Sequence, residues 1–256
     1  METITSRDNA KIKYACAVRD SEKQRAADGV FFAEGPKLIL ELCTSCTPMA
    51  VYTTEAALAR TPALAALQSV TTLVAPHVAE KLAGTKSSQG VFALLQTPAP
   101  PTHLLHSARR LLALEGVQDP GNVGTIIRLA DWLGIGHVVC SPDVADVFGP
   151  KVVQATMGAL ARVRAFYTDV PAWLDKVPAA LPVYGTFMAG SNLYAEPLPQ
   201  GAIVVMGSEG RGISPEVERR ITHRLTIPTF PPGRQAVESL NVAVATAMVC
   251  AEFRRR

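Results

Sequence analysis

Short apolar runs alternate with amphipathic segments along most of the chain. In the first hundred residues, a basic segment with a polar face predicts a helix over residues 9–25, and residues 30–33 form a short apolar run typical of a strand. Apolar positions at helical spacing predict a helix over residues 36–42, and further strands are expected at residues 51–52 and 91–95. Strands alternating with helices indicate a small α/β domain.

The same alternation returns after residue 110, with longer and more apolar runs. Strands are predicted at residues 111–114, 137–140, 183–187, 203–206 and 225–227. Helices are predicted at residues 125–133, 152–160, 215–220 and 237–253. Nearly continuous apolar strands are typical of a parallel sheet that is buried on both faces. The sequence therefore predicts a second, larger α/β domain.

A proline-rich stretch separates the two patterns. Residues 97–103 read Thr-Pro-Ala-Pro-Pro-Thr-His. Proline lacks a backbone donor and restricts the residue before it, so this stretch interrupts both helix and strand. We therefore predict an N-terminal domain over residues 1–97, a linker over residues 98–109 and a C-terminal domain over residues 110–256.

Composition narrows the class of protein only slightly. The chain has 256 residues, is 48% hydrophobic and 18% charged, and carries a formal net charge of +3, which permits a nucleic-acid partner without requiring one. No apolar run reaches the roughly 18 residues that a membrane span needs, and the polar N-terminus lacks the apolar segment of a signal peptide. We therefore expect a cytoplasmic protein with no membrane partner.

The five cysteines predict neither disulfides nor a metal site. They are odd in number and scattered along the chain. Cys43 and Cys46 form a single C-x-x-C pair, whereas a structural zinc site needs a second pair of ligands. We expect reduced thiols and no bound metal.

Three polar loops follow predicted strands and precede predicted helices. Residues 115–124 contain Asn122 at a helix start, and Arg128 lies six residues further on, a combination suited to binding phosphate. Residues 207–212 hold three glycines, which allow the backbone to approach a ligand closely. Residues 239–241 open the last helix. Each loop on its own is also explained as a turn or a helix cap.

The spacing of the glycine loop excludes two common ligand-binding motifs. Its glycines lack the G-x-G-x-x-G spacing of dinucleotide-binding proteins, and no Gly-Lys-Ser/Thr follows as in a P-loop. A nucleotide- or NAD-binding enzyme is therefore disfavoured.

Taken together, the three loops resemble the motifs of SpoU-type, or TrmH-like, RNA ribose methyltransferases of the SPOUT superfamily. The first motif is Asn122-Val123-Gly124 with Arg128, the second is Gly207, Glu209 and Gly212, and the third is Ile227-Pro228 with Ser239-Leu240-Asn241-Val242. The resemblance covers residues 110–256 closely. More loosely, residues 4–35 and 89–91 resemble a small ribosomal-protein-like domain that binds the RNA substrate in many members.

This resemblance implies a fold, a reaction and a set of site residues. The implied fold is a parallel sheet with helices on both faces and a C-terminal trefoil knot, in a homodimer joined through the knot region. The implied reaction is methyl transfer from S-adenosylmethionine to a ribose 2′-oxygen. The implied catalytic residues are Asn122, Arg128, Glu209, Ser239 and Asn241. The implied cofactor-binding residues are Gly207, Ile227, Leu240, Thr186 and Gly212.

The substrate is less narrowly defined than the reaction. The ribosomal-protein-like domain favours ribosomal RNA, 23S RNA in particular, while a transfer-RNA methyltransferase and an RNA-binding protein without catalysis are the alternatives. The intact polar residues of the motifs speak against the last. RNA contacts are expected from the basic residues of the first helical segment, namely Lys11, Lys13, Arg19, Lys23 and Arg25. The alternative is a solvated helix face.

Two features of the motifs need separate interpretation. The arginine matching Arg128 is proposed as the catalytic base in the family, but a guanidinium stays protonated in proteins. Binding an RNA phosphate and stabilising a developing oxyanion suit it better. Residues 229–238 make the third motif longer than its common form, and we interpret them as a tolerated surface insertion, with an added RNA or subunit contact as the alternative.

Overall fold

The computed structural model describes residues 3–101, 110–231 and 239–255. By internal contacts the chain divides into two units, one of Met1–Ala99 with Phe148–Ala161 and the other of Pro100–Val147 with Arg162–Arg256. Most of the predicted linker, residues 102–109, lies outside the described part of the chain.

The N-terminal unit is an α/β fold around a five-stranded sheet. Its strands are β1 (Thr3–Ile4), β2 (Val30–Glu34), β3 (Pro48–Thr53), β4 (Thr71–Val74) and β5 (Val91–Gln96), in the order β1-β4-β3-β5-β2. The first three strands of that order are parallel, and β5 is antiparallel to both of its neighbours. The helices are α1 (Ala10–Asp20), α2 (Glu22–Asp28), α3 (Pro36–Leu42), α4 (Glu55–Arg60) and α5 (Pro76–Leu82), with a 3₁₀ helix at Pro62–Val70. The strands predicted at residues 30–33, 51–52 and 91–95 are thereby confirmed.

The single helix predicted over residues 9–25 is two helices. Ser21 has an extended backbone, and its side chain accepts a hydrogen bond from the backbone N–H of Gln24, so it ends α1 and caps α2. A serine side chain that binds nearby backbone in this way competes with a continuous helix.

Because the helix breaks at Ser21, the side chain of Arg25 points into the N-terminal unit and is buried there. Arg25 is only 8% exposed, and its guanidinium donates to the carbonyl oxygens of Val18 at 2.7 Å and Arg19 at 2.8 Å. Arg19 is half-buried and donates to the carbonyl oxygens of Lys81 and Ala83. Both guanidinium groups satisfy main-chain oxygens within the unit, so a structural role for these two arginines competes with the predicted RNA contact.

The C-terminal unit is built on a six-stranded, wholly parallel sheet. Its strands are β6 (Arg110–Leu114), β7 (His137–Cys140), β8 (Arg164–Tyr167), β9 (Val183–Asn192), β10 (Ala202–Met206) and β11 (His223–Thr226), in the order β11-β9-β10-β6-β7-β8. The helices of this unit are α6 (Pro120–Trp132), α8 (Val170–Leu174), α9 (Pro215–Glu218) and α10 (Val242–Arg255). All five predicted strands and the parallel sheet are confirmed.

Helices cover both faces of this sheet. One face packs against α8 and α9 through alternate strand residues, including Leu111, Ala113, Ile203 and Val205. On the other face, α10 packs against α6 and β10, and Cys250 and Phe253 line a small apolar cavity with Ala202 and Val204. Alternation along each strand sends successive side chains to opposite faces, which explains the nearly continuous apolar runs.

The segment from residue 148 to residue 161 groups with the N-terminal unit, although the sequence assigned it to the C-terminal domain. It contains α7 (Pro150–Thr156) and a 3₁₀ helix at Ala159–Ala161. The ring of Phe148 lies 5.2 Å from that of Phe31, and the Ser45 hydroxyl donates to the carbonyl of Ala161. The helix predicted over residues 152–160 stops early because Met157 is left-handed, with φ of 52°.

The internal role of Arg25 predicts a stability difference between two basic residues of the same region. Arg25→Ala removes two charged hydrogen bonds and leaves the carbonyls of Val18 and Arg19 unsatisfied, which we expect to cost about 2–3 kcal/mol of unfolding free energy. Lys13→Ala removes only an exposed ion pair with Asp8 and is expected to cost well under ~1 kcal/mol. Urea unfolding followed by circular dichroism measures both, and equal losses would contradict the assignment.

Candidate active site

The polar loops of the C-terminal unit lie at the point where the strand order reverses. From β6 the chain continues to β7 on one side, while β10 lies on the other side of β6. The backbone N–H of Glu115, just after β6, donates to the carbonyl of Met206, the last residue of β10, at 2.9 Å. In open parallel α/β sheets, ligands bind at this carboxyl edge of the switch point.

The loop after β10 is a tight turn that two glycines make possible. Ser208 and Gly212 exchange backbone hydrogen bonds of 3.1 and 2.8 Å. A Cβ atom on Gly207 would lie 2.3 to 2.4 Å from backbone atoms of Gly212 and Ile213, so no side chain fits there. Gly212 has φ of +69°, in the left-handed region that favours glycine.

A triangle of hydrogen bonds joins the three polar loops. The Asn122 side-chain amide donates to Oε1 of Glu209 at 3.2 Å. The Asn241 side-chain amide donates both to the same Oε1 and to Oδ1 of Asn122, each at 2.9 Å. The backbone N–H of Val242 also donates to Oε1, at 3.0 Å. One carboxylate oxygen therefore holds two other loops that are distant along the chain.

Both asparagines are fixed further by helix starts. Oδ1 of Asn241 accepts from the backbone N–H groups of Ala243 and Val244, so Asn241 caps α10. The backbone N–H of Asn122 donates to the side chain of Asp119, the cap of α6. The Asn241 side chain is thereby oriented by its own helix as well as by Glu209, whereas for Asn122 it is the backbone that the helix cap fixes. The helix predicted to start at residue 237 begins at Val242.

Arg128 and Ser239 lie apart from this triangle. Arg128 is exposed on α6, six residues and therefore about 9 Å along the helix axis from Asn122. Ser239 is exposed two residues before Asn241. Within residues 3–101, 110–231 and 239–255, neither side chain has a hydrogen bond or an ion pair. The structure thus brings together Asn122, Glu209 and Asn241 of the five predicted catalytic residues.

Four of the predicted cofactor residues follow β10 or β11, and Thr186 lies within β9, just after its pairing with β10. The hydroxyl of Thr186 lies 3.7 Å from the Met206 sulfur, beside Gly207. Ile227 follows β11 and is half-buried, and Leu240 is 44% exposed. Glycine backbone beside exposed apolar surface is what an organic ligand of mixed polarity requires.

Sequence reasoning missed Glu115, which anchors the far end of the glycine loop. Its carboxylate accepts from the backbone N–H of Ser214 at 3.0 Å and from the Ser214 hydroxyl. Ser214 in turn caps α9. A carboxylate at the end of a buried strand, just before a glycine, was the available signal.

A second chain of contacts ties the middle of the glycine loop to the loop after β7. Arg211 pairs with Asp143 at 3.3 Å, Asp143 accepts from the hydroxyl of Ser141, and that hydroxyl accepts from the backbone N–H of Gly116. Burial raises the pKa of the neighbouring Cys140 thiol to about 12, so this cysteine is not a thiolate nucleophile at neutral pH.

Family models cover both parts of the chain. Residues 109–251 match the SpoU rRNA Methylase family, and residues 9–93 match the MRM3-like substrate binding domain. Because the first match spans more than half of the chain and contains the triangle, the protein belongs to the SpoU family of RNA methyltransferases.

Two curated relatives share this similarity. A 23S rRNA (guanosine(2553)-2′-O)-methyltransferase of Bacillus subtilis is 33% identical over 60% of this chain and 61% of its own length. An uncharacterized tRNA/rRNA methyltransferase of Synechocystis is 36% identical over 72% of this chain and 67% of its own length. The chain thus matches about three fifths of the Bacillus protein.

Solved structures resemble the chain over nearly its whole length. A putative RNA methyltransferase of the TrmH family from Porphyromonas gingivalis is 41% identical with a TM-score of 0.83, covering 96% of this chain and 98% of that one. An rRNA methyltransferase from Sinorhizobium meliloti with bound AdoMet is 25% identical with a TM-score of 0.86, covering 99% and 97%. Among the helices described for this protein, none has the length and apolar character to cross a membrane.

Two of the three glycines in the loop, Gly207 and Gly210, are expected to respond differently to substitution by alanine. Gly207→Ala forces a Cβ atom against backbone that cannot move without opening the turn, so we expect a loss of about 2 kcal/mol or more in unfolding free energy. Gly210→Ala meets no atom within 4 Å and serves as the matched control, with little change expected. Thermal and urea unfolding compare them, and a neutral Gly207→Ala would show that the turn is looser than described.

Proposed function

We propose that the protein transfers a methyl group from S-adenosylmethionine to the 2′-oxygen of a ribose in RNA, with 23S ribosomal RNA as the substrate. The observation that carries this proposal is the hydrogen-bonded triangle of Asn122, Glu209 and Asn241 at the switch point of a parallel sheet. It joins the three loops that are matched to the SpoU family.

The cofactor is proposed to lie against the carboxyl ends of β9, β10 and β11. Gly207 fits this role because the backbone of Gly212 and Ile213 lies directly against it, which keeps the loop after β10 in the tight turn that the proposed site needs. Thr186, Gly212, Ile227 and Leu240 would supply the rest of the surface. When bound, S-adenosylmethionine supplies a methyl group activated by the adjacent sulfonium.

The triangle is proposed to orient the reacting ribose and the start of α10. A carboxylate that accepts three N–H groups holds both asparagine amides in fixed orientations, and preorganised polar groups contribute strongly to catalysis. Ser239 extends from the same turn, where it can bind the substrate. Positioning of the hydroxyl for in-line attack is the main task in such a transfer.

Arg128 is proposed to bind the RNA phosphate and to stabilise charge that develops on the ribose oxygen. Its guanidinium is exposed and, among the described residues, has no competing carboxylate partner. An arginine in that state is available for bidentate phosphate binding. Because it stays protonated, it acts as a cation and hydrogen-bond donor.

The choice of 23S RNA rests on the N-terminal unit and on a relative. Residues 9–93 match a substrate-binding domain, and the Bacillus relative is named for a position in 23S rRNA. Lys11 and Lys13 are exposed on α1 and remain proposed RNA contacts. A transfer-RNA substrate is the second candidate, because the Synechocystis relative is named for both RNA classes.

We further infer a cytoplasmic homodimer with a trefoil knot in the C-terminal unit. The helices α6 and α10 pack together, and they expose apolar side chains that include Trp132 at 88% and Val244 at 51%. Exposed tryptophan and other apolar side chains on a pair of packed helices are typical of a subunit interface. The return of the chain after β11 to the loops of β6 and β10 supports the knot.

Labelled cofactor provides the direct test of the reaction. Incubation with methyl-labelled S-adenosylmethionine and separate pools of unmodified ribosomal and transfer RNA is expected to label a ribose of 23S RNA, located by nuclease digestion and mass spectrometry. Label in transfer RNA alone would move the protein to the second candidate. Binding of RNA and cofactor without any label would favour an RNA-binding protein that lacks catalysis.

Substitution of Arg128 separates its role from that of the cofactor residues. Arg128→Ala is expected to lower kcat by about 100-fold or more, because the charge-stabilising donor is lost. The dissociation constant for S-adenosylmethionine, measured by calorimetry, is expected to stay within about twofold. Arg219→Ala, at an exposed arginine outside the site, serves as the control. Normal turnover in the Arg128 variant would exclude the assignment.

A further inference from the structure

Glu34, in the N-terminal unit, is a buried carboxylate whose contacts all lead to one loop. It ends β2 and is only 6% exposed. It accepts hydrogen bonds from the backbone N–H groups of Gly84 at 2.8 Å and Thr85 at 3.1 Å, and from the Thr85 hydroxyl at 2.7 Å. A buried charge is costly unless it is hydrogen-bonded, so this carboxylate stabilises one arrangement of the residues after α5.

Arg19 holds the same segment by its carbonyl oxygens. The guanidinium of Arg19 donates to the carbonyl oxygen of Lys81 at 2.8 Å and to that of Ala83 at 3.1 Å, at the C-terminal end of α5. A carboxylate from β2 and a guanidinium from α1 therefore fix residues 81–85 through their N–H and C=O groups respectively. The buried Glu34 and the half-buried Arg19, which belong to different elements, thus fix the position of this one short loop.

The loop that they hold presents only hydrogen-bonding and basic groups. Residues 84–89 read Gly-Thr-Lys-Ser-Ser-Gln, and all six are exposed. They include one ammonium group, two exposed serines and an amide, with no carboxylate and no large apolar side chain, and the Ser88 hydroxyl accepts from the backbone N–H of Gly90. Gln89 lies beside Gly35, since a Cβ atom built on Gly35 would be 3.8 Å from Oε1 of Gln89. The next exposed cation along the chain from Gly35 is Lys37.

We propose that residues 84–89 form an RNA-contacting surface, with Glu34 and Arg19 as the residues that position it. This inference rests on the proposed function, because it takes the RNA substrate as its partner. Hydroxyl, amide and ammonium donors without acidic neighbours suit phosphate oxygens and ribose hydroxyls. The lack of apolar side chains disfavours a protein partner, whose interface would need an apolar centre.

Direct RNA binding tests this surface without requiring methyl transfer. Filter binding of the full chain to a 23S RNA transcript is measured over a series of salt concentrations, without cofactor. Lys86→Ala is expected to weaken binding about fivefold and to reduce the slope of log K against log salt by about 0.7–0.9, the effect of one lost phosphate contact. Lys176→Ala, at an exposed lysine of the C-terminal unit, lowers the net charge equally and is expected to change neither.

A third variant, Glu34→Gln, separates the positioning of residues 84–89 from their direct contact with RNA. Glu34→Gln leaves every cation in place but removes the charged anchor, so we expect weaker binding with the wild-type salt slope. Thr85→Val, which removes only the hydroxyl bond to Glu34, is expected to give a smaller loss of the same kind.

The outcomes distinguish this surface from the proposed reaction. Equal RNA affinities and salt slopes of Lys86→Ala and Lys176→Ala would overturn the proposal that residues 84–89 contact RNA, whatever the protein methylates. A defect of Lys86→Ala that is seen only on assembled ribosomal subunits, and not on the naked transcript, would assign the loop to a ribosomal protein and also overturn it. Lys86-dependent RNA binding in a protein that transfers no methyl group would sustain the surface and remove the proposed function.

Discussion

One carboxylate oxygen, Oε1 of Glu209, connects the parts of the C-terminal unit that are most distant along the chain. It accepts N–H groups from Asn122, Asn241 and Val242, which belong to the starts of two different helices. This is possible only because β6 and β10 are neighbours in a parallel sheet, so that their following loops emerge at the same edge. The glycine loop then sets the position of Glu209 itself. Glu34 has a comparable role in the N-terminal unit, where it also accepts three hydrogen bonds from one loop.

Hydrophobic patterning predicted the buried part of the fold well and its short or polar elements poorly. The strands at residues 111–114 and 203–206 are apolar throughout, and the strand at residues 137–140 is apolar after His137, because helices cover both sheet faces. By contrast β8 (Arg164–Tyr167) and the two-residue β1 mix polar with apolar positions and escaped notice. Ser21 divided a predicted helix through a local side-chain bond, which periodicity does not record.

The motif residues of the site were predictable from the sequence, whereas the residues that hold those motifs in place were not. Asn122, Glu209 and Asn241 stand in recognisable spacing, and the structure joins them directly. Glu115 is marked in the sequence only by its position between a buried strand and a glycine, and its partner Ser214 was not predictable, because it is 99 residues away and only the fold brings the two together. Charge on a helix was also a poor guide to side-chain exposure, since burial of Arg25 depends on the backbone break that precedes it.

The central claim, that Glu209 and Asn241 couple the glycine loop to the last helix, is tested most directly by a double-mutant cycle on unfolding free energy. Glu209→Ala, Asn241→Ala and the double variant are compared with the wild type by urea unfolding. Residues in one hydrogen-bond network are expected to show an interaction energy of about 1 kcal/mol or more. Additive losses, within about 0.3 kcal/mol, would contradict the account, because independent sites behave in that way.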